Sequence, residues 1–194
     1  MSERSPDGVP GAERPSDPPG YPHDRQALIF DGLTGLYSIE YFEHQMRSEM
    51  AYALRHDMPL SLILIAVDYV EDLTKAFGAE ARDRILLRVA DQVREHVRTE
   101  DVLARYGLSM LALLFRGTPL EAAAFLGTRI RQSVESAALA HKGMELPITV
   151  SLGVATLSPG MEEHPAVVQN AERALAQARK RSNCVVVADD QGGG

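Results

Sequence analysis

The chain has 194 residues, of which 45% are hydrophobic and 24% charged, and its formal net charge is −7. This length predicts one domain with a tail rather than two full domains. The negative charge argues against a nucleic-acid-binding protein, because phosphate backbones favour a basic surface. Cys184 is the only cysteine, which excludes a disulfide framework and fits a reducing compartment. The longest apolar run is too short to span a bilayer and no secretory signal opens the chain, so we expect a cytoplasmic protein that does not enter a membrane.

The two ends of the chain are predicted to be disordered. Residues 1–23 hold six of the eleven prolines together with glycines and scattered charges, so this leader cannot bury enough apolar surface to offset the entropy of ordering. Residues 189–194 end in three glycines and are expected to form a flexible tail. The ordered domain is therefore expected over residues 24–188.

Between these ends, apolar residues recur at helical spacing in some segments and run continuously in others. The run over residues 60–67 is typical of a central strand covered on both faces. Ser38 and Thr118 are predicted N-caps, since each hydroxyl stands just before a segment of helical periodicity. The predicted elements, in chain order, are a helix over 38–56, a strand over 60–68, a helix over 79–97, strands over 102–105 and 110–115, a helix over 119–136, a strand over 147–155, a helix over 165–180 and a strand over 184–188. This order predicts an α/β sandwich with a central mixed β-sheet flanked by helices.

Four segments of the chain, in order and at matching spacings, are similar to the motifs of one protein family. They are Asp31-Gly-Leu-Thr-Gly-Leu36, the hairpin that begins Asp101-Val-Leu-Ala-Arg-Tyr-Gly107, Thr149-Val-Ser-Leu-Gly-Val-Ala155 and Ala171-Glu-Arg-Ala-Leu-Ala-Gln-Ala178. Over residues 31–186 the chain resembles the diguanylate cyclase (GGDEF) domain family. The resemblance implies a fold with a βαββαβ core, in which two GTP-bound domains meet face to face and join their substrates into cyclic di-GMP.

The five-residue signature of that family is replaced here by Gly107-Leu-Ser-Met-Leu111. The resemblance assigns the family's two metal-binding carboxylates to the positions of Ala66 and Ser109. Neither side chain offers the anionic oxygen that Mg²⁺ prefers. The sequence therefore predicts a degenerate member that is not an enzyme, with no catalytic residue, no metal-binding residue, no cofactor and no need for Mg²⁺.

A second motif of the family is kept just before the hairpin. Arg98-Thr-Glu-Asp101 ends six residues before Gly107, where the resemblance implies an Arg-x-x-Asp inhibitory site for cyclic di-GMP. The resemblance adds Arg129, from the helix after the hairpin, as a third contact. A guanidinium can bond the O6 and N7 acceptors of guanine, and a carboxylate can accept from its N1 and N2 protons. The structural alternative is that Arg98 is a favourable cation at a helix end and Asp101 caps a turn.

These features favour two functions over a third, which is residual cyclase activity or another nucleotide reaction. The first is a cyclic di-GMP-binding effector of bacterial signalling, with protein partners and with a homodimer bridged by the ligand as one arrangement. The alternative is a nucleotide-independent scaffold that docks a protein partner, because the hairpin tip Leu108-Ser-Met-Leu111 is apolar and an exposed apolar surface marks contact sites.

Overall fold

The structure, a computed structural model, describes residues 29–137, 139–141, 144–157 and 164–189. The predicted leader and the tail after Asp189 lie outside the described residues. The helices and strands, in chain order, are α1 (Ile39–His56), β1 (Leu60–Val67), α2 (Val70–Phe77), α3 (Ala79–Arg94), β2 (Val102–Gly107), β3 (Met110–Arg116), α4 (Leu120–Ser136), β4 (Leu139–His141), β5 (Met144–Leu146), β6 (Val150–Thr156), α5 (His164–Arg181) and β7 (Val185–Val187). They confirm the predicted α/β sandwich around a mixed sheet.

The central sheet has five strands in the order β2-β3-β1-β6-β7. β1 lies at its centre and pairs antiparallel with β3 and β6, while β6 pairs parallel with β7. All eight residues of β1 are buried, which explains why its sequence is a continuous apolar run. β4 and β5 form a separate two-stranded sheet.

Helices cover both faces of the central sheet. Successive side chains of a strand point to opposite faces. Ile63 and Ile65 of β1 therefore pack with α3 and α4, whereas Leu62 and Leu64 pack with α1 and α5. The helices bury apolar stripes that include Ile85, Val89, Ile130 and Val134 on the first face and Phe42, Met46 and Leu175 on the second. The pairing of β1 with β3, in which Ala66 lies opposite Met110, brings the end of β1 beside the tip of the β2–β3 hairpin.

The hairpin and one of the two predicted caps are confirmed. The Ser38 hydroxyl accepts the backbone N–H of Tyr41 at 3.1 Å and so caps α1. Thr118 does not cap α4: its hydroxyl donates to the carbonyl oxygen of Arg116 at 3.4 Å, and Pro119 occupies the N-cap position. That prediction is wrong because the chain is still leaving the sheet at Thr118, and the hydroxyl bonds to the strand instead.

Two further differences concern the helices near β1. α3 ends at Arg94 rather than at Val97, and the N–H of His96 bonds back to Val93 in a tighter turn. α2 was not predicted, since it spans only Val70–Phe77 and has no fully buried residue to reveal its periodicity. None of the described helices is both long and apolar enough to cross a membrane.

Candidate functional site

The tip of the β2–β3 hairpin and the end of β1 enclose a cavity of about 450 Å³. The backbone N–H of Val67 donates to the carbonyl oxygen of Ser109 at 3.1 Å, which holds the tip against the strand. The cavity lining is largely apolar with three cations, and it includes Ala66, Val67, Val70, Leu108 and Met110 with Lys75, Arg82 and Arg179. The structure thus brings together Ala66 and Ser109, the two positions to which the resemblance assigns metal-binding carboxylates.

Two polar side chains of this first cavity are engaged with near neighbours. Arg82 forms an ion pair with Asp83 at 2.8 Å, and the Thr74 hydroxyl donates to the carbonyl oxygen of Val70 at 2.6 Å within α2. Glu71 is the carboxylate among the lining residues. The cavity therefore presents an apolar wall and partly neutralised charges.

Asp68, which follows β1 directly, is a buried carboxylate that organises the sheet rather than the cavity. Its Oδ1 accepts the hydroxyl of Ser151 at 2.6 Å. Its Oδ2 accepts the hydroxyl of Thr149 at 2.8 Å and the backbone N–H of Asn183 at 2.8 Å. Asn183 has a φ of 49°, a left-handed conformation that Asn tolerates better than most residues. Asp68 thus fastens the turn before β7 to the ends of β1 and β6.

The predicted pair Arg98 and Asp101 comes together in the turn between α3 and β2. Asp101 is 9% exposed, and its Oδ2 accepts the backbone N–H of Arg98 at 2.9 Å. The backbone N–H of Asp101 donates to the carbonyl oxygen of Arg98 at 3.2 Å. Asp101 therefore caps the turn, while the exposed guanidinium of Arg98 forms no ion pair within the part of the chain that the structure describes.

This pair lies in a groove of about 350 Å³, which we call the Arg98 groove. Its other principal lining residues come from the start of the domain and from the end of α3, and they are Phe30, Leu36, Tyr37 and Arg94. Arg94 donates to the carbonyl oxygen of Thr34 at 2.6 Å, which ties α3 to the first turn of the chain. The groove therefore offers a fixed carboxylate, an exposed guanidinium and an aromatic wall.

Arg129 lies apart from this groove. It is exposed on α4 and does not line the groove. α4 is joined to α3 by a hydrogen bond of 2.8 Å from the hydroxyl of Ser133, one turn beyond Arg129, to the side chain of Gln92. The structure thus brings together two of the three predicted site residues and places the third on a neighbouring helix.

Sequence reasoning did not find Phe30 or Arg94 as groove residues. Phe30 stands just before the Asp31 turn, and Arg94 ends a helix among other charged residues, so neither carries a motif of its own. Arg94 stands four residues before Arg98, whereas the position of Phe30 beside Arg98 depends on the bridges from Phe30 to Tyr37 and from Tyr37 to β2. No local signal in the sequence indicates it.

Burial raises the pKa of the Asp101 carboxyl above its usual value of 3.8, and the hydrogen bond from Arg98 opposes that shift in part. Because the pKa of Asp101 is raised in the folded protein, its charged form destabilises the folded state at pH values above that pKa. This destabilisation is absent below pH 3.8, where the carboxyl is protonated in the folded and the unfolded protein.

We therefore expect Asp101→Asn to melt at pH 7 at a temperature no lower than wild type. Any difference in melting temperature between Asp101→Asn and wild type should vanish below pH 4, as measured by thermal circular dichroism across a series of pH values. A clear loss of stability at pH 7 would contradict this prediction.

The family is shown by comparison with known proteins. The family model described as "Diguanylate cyclase, GGDEF domain" matches residues 28–184. The chain belongs to this family, as the four motifs predicted.

Relatives and solved structures agree with this assignment. The diguanylate cyclase DgcP of Pseudomonas aeruginosa is 31% identical over 156 residues, which are 80% of this chain and 23% of DgcP. The GGDEF domain of DgcB from Caulobacter crescentus, solved in complex with c-di-GMP, is 26% identical with a TM-score of 0.79, covering 82% of this chain and 95% of that one. The diguanylate cyclase SiaD from P. aeruginosa, solved with its activator SiaC, is 29% identical with a TM-score of 0.79, covering 84% and 63%. The chain spans less than half the length of the curated relatives it matches.

These comparisons correct two predictions. The relatives are named as diguanylate cyclases, which are enzymes, so the prediction that the chain is not an enzyme is wrong. The prediction of no cofactor and no need for Mg²⁺ is wrong for the same reason, since the family's cyclases use GTP and Mg²⁺. Both predictions were drawn from the altered signature and from Ala66 at the end of β1, and such motif differences by themselves do not decide activity.

The described side chains differ from those that a divalent cation needs. Mg²⁺ prefers several oxygen ligands, usually with one or two carboxylates. Among the described residues, no three His, Cys, Asp or Glu side chains lie close enough to hold a metal ion. Glu71 is the carboxylate that lines the first cavity, and both oxygens of Asp68 accept hydrogen bonds from the protein. The described side chains therefore do not make a Mg²⁺ site by themselves.

Proposed function

We propose that this domain is a receptor for cyclic di-GMP, which binds in the Arg98 groove. The observation that carries the proposal is the fixed Asp101 carboxylate beside the guanidinium of Arg98, which forms no ion pair within the described residues. Asp101 uses Oδ2 to cap the turn, and its Oδ1 has no hydrogen bond within the described residues. The structure of the related DgcB domain with c-di-GMP supports the choice of ligand.

The chemistry of the two side chains suits a guanine base. Arg98 can donate two parallel hydrogen bonds to the O6 and N7 acceptors of guanine. Asp101 can accept from the N1 and N2 protons through the oxygen that the turn leaves free. The turn holds the carboxylate in place before the ligand arrives, which lowers the entropy cost of binding.

Arg129 is proposed as a further contact. Because it lies on the exposed face of α4, outside the groove, it can meet a ligand that extends beyond Arg98 or that bridges a second copy of the domain. A cyclic dinucleotide carries two phosphate charges, and each arginine that approaches them offsets part of that charge. A homodimer bridged by ligand is therefore part of the proposal. A cytoplasmic location is a separate part of it.

Calorimetric titration of nucleotide-free protein with cyclic di-GMP tests this function. We expect wild type to bind and Arg98→Ala to bind about 10- to 100-fold more weakly, because a good bidentate contact to guanine is worth about 1–3 kcal/mol. Arg47→Ala is the matched control, since Arg47 is an exposed arginine on α1 that does not line the groove. No heat from wild type at tens of micromolar ligand would rule the proposal out.

The activity named for the relatives is measured separately. Incubation with GTP and Mg²⁺, followed by chromatography, shows whether this domain shares it. Any cyclic di-GMP formed in that reaction would itself occupy the groove, so the titrations are run without GTP. The binding result then stands independently of turnover.

A second candidate function is protein docking through the hairpin tip. Leu108 is 69% exposed at the tip, an unusual place for a large apolar side chain. The related SiaD was solved with an activator protein, SiaC, so a GGDEF protein does take a protein partner. Under this reading Leu108→Glu abolishes partner capture whereas Arg98→Ala leaves it unchanged, and the reverse pattern would contradict it.

A further inference from the structure

Three aromatic rings form a stacked column beside the Arg98 groove. Phe30 stacks on Tyr37 with ring centroids 5.4 Å apart and planes inclined by 19°. Tyr37 stacks in turn on Tyr41 at 4.4 Å and 22°. Offset stacks of this kind are stabilising and hold each ring in one orientation. Phe30 is the outer member of the column and is 44% exposed.

The backbone fixes this column relative to the proposed ligand-reading pair. Tyr37 donates its N–H to Leu103 at 3.2 Å and accepts the N–H of Arg105 at 2.9 Å, so it adds a short bridge beside β2. Phe30 pairs with Tyr37 in a second bridge. Since β2 begins directly after Asp101, these bonds set the position of the Phe30 ring along the same strand that positions the carboxylate.

We infer that Phe30 is the aromatic surface on which a guanine base of the ligand stacks while Arg98 and Asp101 read the edge of the base. This inference rests on the proposed function and adds a residue to it. All three side chains line one groove, which supplies a flat apolar ring, a guanidinium and a carboxylate. A purine needs this combination, because its faces are apolar and its edge carries donors and acceptors. The ligand class that fits is a purine nucleotide with guanine as its base.

If Phe30 stacks on the base, its variants should change the binding affinity in a pattern that a purely structural role would not produce. We expect Phe30→Ala and Phe30→Leu each to weaken cyclic di-GMP binding by about tenfold, in line with measured base–aromatic stacking. Phe30→Tyr should bind within about twofold of wild type, because tyrosine keeps the ring. Calorimetry provides the affinities, and equal melting temperatures show that the variants are folded.

The chain contains no tryptophan, so Phe30→Trp introduces a single fluorescent reporter at the stacking position. Titration with cyclic di-GMP should quench this fluorescence with the same half-saturation as the calorimetric titration. Tyr69→Trp is the matched control: Tyr69 is 66% exposed and sits between Val67 and Val70, which line the first cavity. Its fluorescence should not change.

The outcomes separate the inference from the function on which it rests. If wild type binds, Arg98→Ala binds weakly and Phe30→Ala binds like wild type, the stacking inference is wrong and the proposed function stands. If wild type does not bind, both are wrong. Quenching of Tyr69→Trp without quenching of Phe30→Trp would place the ligand at the first cavity and overturn the inference.

Discussion

Replacing Gly153 with alanine is expected to lower the free energy of unfolding by about 3 kcal/mol or more, at the upper end of the range for overpacked cores. Gly153 lies in β6, where α5 crosses the sheet at its closest approach. A Cβ at this position would overlap the carbonyl oxygen of Ala171 and the backbone nitrogen of Leu175, and would lie 2.8 Å from the Cα of Leu175. These are backbone atoms of a helix packed against the sheet, so relief requires α5 to move as a unit.

Gly127→Ala provides the matched control. Gly127 is also buried, in α4, but a Cβ there would meet only side-chain carbons, 3.5 Å from Val185 and 3.7 Å from Ile63 and Leu152. Those are ordinary van der Waals distances, and alanine is favoured over glycine in a helix by about 0.5–1 kcal/mol. We expect Gly127→Ala to be neutral or stabilising. Urea unfolding followed by circular dichroism measures both variants, and a Gly153→Ala protein as stable as wild type would contradict the packing described for α5.

Replacing Asp68 with alanine is expected to cost about 3 kcal/mol of unfolding free energy. The carboxylate accepts hydrogen bonds from Ser151, Thr149 and Asn183, and bonds to a charged acceptor are worth more than neutral ones. Alanine leaves the buried Ser151 hydroxyl and two half-buried donors without their acceptor, and the loss of a partner costs more than the bond itself contributes. Urea unfolding measures the change.

The control for Asp68 is Asp72→Ala. The side chain of Asp72 is 76% exposed and pairs with Lys75 at 3.7 Å on the surface of α2, an arrangement that contributes little to stability. Hydrogen exchange sharpens the test, because Asp68 fastens the turn before β7. Amide protection at Val185–Val187 should fall in Asp68→Ala before protection elsewhere in the sheet. Unchanged protection there would show that the turn is held by other contacts.

Much of the fold could be predicted from local sequence because the relevant interactions are local. The apolar run of β1 identified a strand buried on both faces. Ser38 identified the start of α1, which its hydroxyl caps. The missed elements lack such signals: α2 has no fully buried residue, and the Thr118 hydroxyl is drawn to the end of β3. The apolar pattern therefore fails where a helix buries no residue fully, and a capping residue fails where its hydroxyl bonds to a nearer acceptor.

The candidate site divides in the same way. The sequence by itself determined the proximity of Arg98 and Asp101, since residues three apart in a turn bond through their own backbone. Only the tertiary structure placed Phe30 beside that pair, because the bridge through Tyr37 to β2 joins segments far apart in the chain. It also set Arg129 apart, on the exposed face of α4. Contacts of this kind depend on strand register and helix packing, which a local pattern of residues does not encode.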